Sequence, residues 1–235
     1  SADLIKWIST NQQTWTSTEL SVFDFLMTGS IGDIDIASGL QFRDESFDVA
    51  RGASSIAQFD AAGNITQPAD LLFLGGGLES TASRNATALF IEGSMNPSDR
   101  LEVKGALRYE DLESDSSVDP KIAFRYQASD ELALRASFST SFREASLAQL
   151  TSTNISLQGI QDYNADGSAK GGTAFIRIAQ ANNPNLAPEE SENMNIGAMW
   201  NPTDKLSMKL DYWAIDYTNV ITIESAQGKV AANPL

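Results

Sequence analysis

Apolar and polar side chains alternate with a period of two along most of this chain. From Leu101 to Glu110 one parity reads Leu, Val, Gly, Leu, Tyr and the other Glu, Lys, Ala, Arg, Glu, a separation that only an extended strand places on two faces. Ile122–Tyr126 and Leu132–Ser139 repeat the scheme on either side of the turn residues Ser129-Asp130. Met194, Ile196, Ala198 and Trp200 alternate with Asn193, Asn195, Gly197 and Met199. Beyond Asn201-Pro202-Thr203-Asp204, the residues Leu206, Met208, Leu210 and Tyr212 alternate with Lys205, Ser207, Lys209 and Asp211. Toward the start Phe23, Phe25 and Met27 share a parity, and Ile34, Ile36, Leu40 and Phe42 follow the glycines at 29 and 32. Leu89, Ile91 and Met95 lie opposite Ala88, Phe90 and Glu92, ahead of the turn Asn96-Pro97-Ser98-Asp99. The pattern predicts an all-β antiparallel meander of about eight strands in four hairpins, each roughly nine to eleven residues long.

Short turns near 29–33, 96–99, 128–130 and 201–204 alternate with longer connections at about 48–83, 111–118 and 143–190. Long loops therefore gather on one side. Two architectures share this alternation: a soluble sheet that buries its apolar parity, and a transmembrane barrel that shows that parity to lipid and lines a wet lumen with the other. Strands of this length exceed the usual five or six residues and suit a tilted crossing of a hydrocarbon layer. Tyr109, Tyr126, Phe142, Trp200 and Tyr212 include several near strand ends, where an interfacial girdle would sit. These features favour the barrel.

Composition narrows the chemistry. The 235 residues fit one large domain or two small ones, and 16 basic against 31 acidic side chains give a net charge of −15, which repels a phosphate backbone and argues against nucleic-acid binding. The chain has no histidine and no cysteine, so Ser-His-Asp and Cys-His catalysis, thiolate or imidazole metal sites and disulfides are excluded. The longest uninterrupted apolar run, Leu71-Leu72-Phe73-Leu74, falls far short of the roughly 18 residues of a spanning helix. The sequence opens at Ser1 without a leader, which we read as a cut N-terminus.

Several strings together resemble the barrel of bacterial TonB-dependent outer-membrane receptors. They are Asp119-Pro120-Lys121-Ile122-Ala123-Phe124-Arg125-Tyr126, then Leu134–Ser139, Phe142-Arg143-Glu144-Ala145-Ser146-Leu147, Asn183–Glu192 leading into Asn195-Ile196-Gly197, and Leu210–Tyr217. Upstream, Leu20–Phe25 and Ala37–Ser46 are similar to an earlier hairpin of those barrels. The resemblance spans about 18–217 and implies part of a 22-stranded barrel in the bacterial outer membrane. It further implies a plug domain, a TonB partner and uptake of a scarce nutrient such as an iron-siderophore, cobalamin or oligosaccharide. Residues 1–235 show no plug-like segment, no TonB-recognition segment and no aromatic-ended last strand, so the expectation is a partial barrel with two open edges. Such edges seek partners, either a second copy or a sandwich-like closure. The alternative function is a soluble all-β binding or adhesion module that uses the loops at 48–83 and 143–190.

Candidate site residues follow from the polar parity, which carries Arg43, Glu45, Glu92, Glu102, Lys104, Arg108, Glu110, Lys121, Arg125, Arg135, Arg143 and Asp211. Opposite charges across strands stabilise a sheet by a few tenths to about 1 kcal/mol each, and that is the main role expected of them. Arg143, Arg135, Arg125, Arg108 and the loop residue Glu189 are the ligand candidates, with Arg143 foremost because it enters the longest loop. Asp162, Asn164 and Asp166 match the first half of a calcium loop, but Thr173 stands where a bidentate Glu is needed. No resident metal or cofactor is expected. Gly75-Gly76-Gly77 lacks the Lys of a phosphate-binding loop and reads as flexible, and Met194, Met199 and Met208 read as filling material. Pro184 and Pro188 predict an extended approach to a strand beginning near Glu192. Glu189 with Glu190 and Asp111 with Glu113 are paired carboxylates of the kind that can divide acid and base roles, but neighbours on a loop seldom hold the separation that chemistry needs. An enzyme is not expected.

Overall fold

The computed structural model describes residues 2–9, 11–67, 76–112 and 115–233. In chain order the elements are α1 (Ala2–Ile8), β1 (Thr14–Ile31), β2 (Ile34–Arg51), β3 (Gln58–Phe59), β4 (Ile65–Gln67), β5 (Gly76–Gly77) and β6 (Ser80–Ser98). There follow β7 (Leu101–Asp111), β8 (Ser116–Gln127), β9 (Leu132–Arg143), α2 (Leu147–Thr151), β10 (Asn154–Ile160), β11 (Ala174–Gln180), β12 (Glu189–Thr203), β13 (Leu206–Thr218) and α3 (Ala226–Ala232). Eight strands form one antiparallel sheet in the order β1-β2-β6-β7-β8-β9-β12-β13, the meander that the alternation predicts. None of the helices among the described residues is long and apolar enough to cross a membrane.

The register assigns each side chain to a face, because residues paired across strands point the same way. Gln41, Ala88, Glu110 and Ser117 form one row across four strands, and Arg135, Gly197 and Asp211 form another across β9, β12 and β13. All twelve charged residues assigned to the polar parity fall on this face. The opposite face carries Phe23, Phe42, Leu89, Leu107, Phe124, Leu134, Ile196 and Tyr212, all exposed. No second layer stacks on it among the described residues, which removes the sandwich reading. The edges β1 and β13 remain unpaired with one another.

On the apolar face the greasy stretch is shorter than the strands. In β2 it runs from Ile34 to Phe42 and then gives way to Asp44, Ser46 and Asp48. Nine residues rise about 30 Å along a strand, which a tilt of about 40° reduces to the roughly 25 Å of an outer-membrane apolar band. Glu19, Asn85, Asp111, Thr140, Glu192 and Asp216 mark the same upper limit on other strands. The Phe23 and Phe42 rings touch just below it, 6.4 Å between centroids.

Strand lengths depart from expectation: β1 and β2 have 18 residues and β6 has 19, against nine to eleven predicted. The missed parts lie beyond the greasy band, as in Ser80–Asn85, where both faces are largely polar and alternation gives no signal. The same effect moves the start of β12 from Glu192 back to Glu189 and shortens the 111–118 connection to residues 112–115. At the other end, Asn-Pro-Ser and Asn-Pro-Thr are not the turns themselves. Each carries its strand through a register shift, between Met95 and Ser98 and between Trp200 and Thr203, and the chain reverses at 99–100 and 204–205.

The described parts of the long connections are folded. β10 pairs with β11 and with β5 in a three-stranded sheet, and α2 packs Leu147 against Phe47 and Val49, on the polar-parity face of β2. Gly76 and Gly77, expected to be flexible, are buried strand residues. A Cβ on Gly77 would stand 2.3 Å from the Thr153 carbonyl oxygen, so only glycine permits the approach. Gly75 and the Leu71–Leu74 run lie outside the described residues.

Candidate functional site

Where the sheet curves, the polar face encloses a cavity of about 670 Å³ at the long-loop end, lined by Arg43, Glu45, Arg84, Arg108, Glu110 and Arg143 among others. Small residues make its ion pairs reach across strands. Ala86 and Ala88 of β6 are buried, and over them Arg43 of β2 meets Glu110 of β7. Arg108 joins the same carboxylate at 2.7 Å and the Gln41 side-chain oxygen at 3.0 Å. Glu110 is 2% exposed, so two guanidiniums compensate one desolvated carboxylate. Gly197 plays the corresponding part lower down, where Arg135 reaches Asp211 at 2.5 Å across β12.

Arg84 forms the rim. It donates to Glu45 at 2.8 Å, stands 3.0 Å from Glu144 and donates to the Ala145 carbonyl at 2.6 Å, tying β6 to β2 and to the start of the longest connection. Burial pushes the Glu144 carboxyl above the ordinary carboxylate range against the pull of Arg84. Directly after it, the Ser146 hydroxyl accepts from the Gln149 amide while the Gln149 side chain accepts from the Ser146 amide. This reciprocal cap starts α2. Arg84, Glu144 and the Ser-x-x-Gln cap were all missed by sequence reasoning; Arg84 sits in the polar extension of β6, while the cap signature at Ser146–Gln149 was readable.

The ligand candidates separate into two levels. Arg143 and Arg108 line the cavity, and Arg143 donates to Glu189 at 2.5 Å. Glu189 is not a free loop carboxylate: its other oxygen accepts from the Ile221 amide at 2.7 Å, after Asn219 turns the chain back with φ 55. Arg125 and Arg135 lie deeper on the same wall, side by side in register, and Arg125 donates to Gln127. A second cavity of about 690 Å³, toward the short-turn end, is lined by Asp35, Glu92, Lys104 and Lys121.

The acidic loop spends its oxygens on itself. Asp166 accepts from both the amide and the hydroxyl of Ser168, contacts that hold its carboxyl below the usual range, Asn164 donates to Ser168, and Lys170 stands 3.8 Å from Asp162. Among the described residues no three metal-ligating side chains come together. Glu189 and Glu190 fall on opposite faces of β12 and cannot share a substrate; Glu113 lies outside the described residues. Met194 and Met208 face the apolar side and Met199 the polar side, all exposed rather than packed.

A family model for the TonB dependent receptor-like β-barrel matches residues 4–233. The chain belongs to this family. Its members are outer-membrane proteins of Gram-negative bacteria. Among solved structures, the ferric enterobactin receptor of Pseudomonas aeruginosa is similar at TM-score 0.63 and 16% identity, over 87% of this chain and 27% of the receptor. A siderophore receptor from Acinetobacter baumannii is similar at 0.60 and 16%, with the same coverage, and a copper transporter at 0.56 and 13%, over 86% and 30%. These likenesses show the fold. The chain spans 27% of the length of the receptors it matches. No curated protein matches it by sequence.

Proposed function

We propose that this chain forms part of the wall of an outer-membrane receptor that imports a scarce nutrient with energy from the TonB system. The observation that carries the reading is the division of one sheet into an outward apolar band about 25 Å tall and a concave face of compensated charges with a cavity at its loop end. In the whole receptor the open edges of β1 and β13 pair with further strands and a plug fills the lumen; in the isolated chain a second copy takes the edges. The cargo to test first is an iron-siderophore chelate, since siderophore receptors share the fold. Arg143 and Arg108 at the cavity, and Arg125 and Arg135 deeper along the wall, are the candidates to contact it. The test is uptake of radioiron from ferric chelates by iron-limited cells with and without the receptor. Receptor-dependent uptake that falls on dissipating the proton gradient supports the proposal. Uptake unchanged by removing the receptor rejects the siderophore as cargo.

A further inference from the structure

The connection after β9 is fixed at two posts. Arg143 is held by Glu189, and further on the Leu78 amide donates to the Thr153 carbonyl at 3.2 Å while Arg51 donates to Asn154 at 2.8 Å. Between the posts, Glu144 and α2 lie on the inner face of β2 and β6. Glu45, Arg84 and Glu144 line the cavity; Phe47, Val49 and Ala82, next along the same face toward the loop end, carry Leu147. The last turn of α2 is bonded to Asn182 of its own connection rather than to the wall.

Three features weaken this docking. α2 has five residues, too few to persist as a helix alone. The hydroxyls of Ser80, beside Val49 in register, and of Ser152, at the end of α2, are buried without a hydrogen-bond partner among the described residues, a cost that undocking removes. Arg84 faces two carboxylates, Glu45 and Glu144, with one charge. The other cations of the cavity are committed elsewhere, Arg43 and Arg108 to Glu110 and Arg143 to Glu189, and Asp119 accepts from Ser117 and Thr140. Glu144 is thus a surplus carboxylate that the connection carries onto the wall, its side chain 14% exposed.

We propose that Glu144 and α2 form a latch over the mouth of the cavity that closes by taking up a proton on Glu144. Protonated, Glu144 still offers an oxygen to Arg84, and Leu147 stays against Phe47 and Val49. Ionised, the closed form keeps two carboxylates on one guanidinium, and Glu45 on the neighbouring strand repels Glu144. The open form returns the Glu144 charge to water and uncovers Arg84. Burial, the largest influence on the docked carboxyl, raises its pKa, so the closed form is favoured below the ordinary carboxylate range and is lost as pH rises through the raised value. Control of access to the cavity rests on the reading of the concave face as the path of the cargo; the acid-driven closure itself does not.

The test uses the full-length receptor in lipid vesicles with Thr151→Cys and Leu107→Cys as its only cysteines, both spin-labelled, and reads the distance between α2 and the wall by pulsed electron spin resonance. One short distance dominates at acid pH. A second, longer one grows as pH rises, and the closed-to-open ratio falls by about tenfold or more between about pH 5 and about pH 8. Glu144→Gln, neutral at every pH and still able to accept from Arg84, stays closed throughout. Leu147→Ala enlarges the open population at both ends of the range and keeps the pH dependence. A closed-to-open ratio that does not change with pH overturns the latch, as does a Glu144→Gln variant that keeps the original dependence. Iron uptake reports separately on the transport reading: its failure beside an intact pH response rejects that reading alone, and a flat pH response beside intact uptake rejects the latch alone.

Discussion

The wall and the loop end of this molecule are held together by different solvents. Along β1 all 18 residues are exposed on both faces, and Leu210 of β13 is 76% exposed. At the loop end Ser55, Leu112, Ala145, Leu147, Ile155 and Ile160 are buried, and Arg51 ties Thr14 of β1, the Leu78 carbonyl and Asn154 of β10 together. The wall has no core of its own: its greasy side chains gain their burial from acyl chains. The loop end has a small protein core built on the inner face of the rim, and water is its solvent. One chain therefore follows two burial rules, and the border is where Phe42 gives way to Asp44.

Substitutions separate the two rules. The largest effect is expected for Ile196→Arg, which puts a cation on the apolar face near mid-band. It costs about 2–4 kcal/mol of folding free energy in lipid vesicles, read by denaturant titration, and leaves hydrogen exchange in β10 unchanged. Leu147→Ala removes the centre of the loop-end cluster and costs about 2–3 kcal/mol; fast exchange confined to α2, β10 and β5, with the wall amides still protected, is the outcome. Ser146→Ala deletes one half of the reciprocal cap and costs about 1 kcal/mol in the same local measurement.

The smallest effect is one of pH. Burial raises the folded-state pKa of Glu144, so folding binds its proton more tightly than the unfolded chain does. Its contribution is fully present below the ordinary carboxylate pKa and is lost as pH rises through the raised folded value. Local stability of α2 therefore increases on acidification across that window. Glu144→Gln flattens this dependence, whereas an unchanged profile in Glu144→Gln contradicts the assignment.

The legibility of the sequence follows the same border. Inside the band, lipid on one side and polar lumen on the other impose a strict alternation, and Leu101–Glu110 or Ile122–Tyr126 announce both strand and face. Above it, Ser80–Asn85 carries little apolar character on either face and shows no hydropathy period, so the first third of β6 and the rim residue Arg84 stayed hidden. The inner aromatics were hidden for another reason: Trp213 and Tyr217 break the rule that the inward parity is polar, and only the register with Asn195 and Ser191 assigns them. Gly76-Gly77 illustrates the opposite error, since a glycine pair reads as freedom when the fold uses it for close packing.

The central claim, that adjacent residues of these strands meet lipid and water in turn, is open to a direct measurement because the chain contains no cysteine. Single cysteines placed in succession at 193–196 and 107–110, in the receptor folded into lipid vesicles, are reacted with a charged thiol reagent and, as spin labels, exposed to oxygen and to a polar nickel chelate. The account predicts a period of two: 194, 196, 107 and 109 unreactive and oxygen-accessible, with 193, 195 and 108 reached from water. Equal accessibility of neighbouring positions, or the reverse assignment of the two parities, would contradict it.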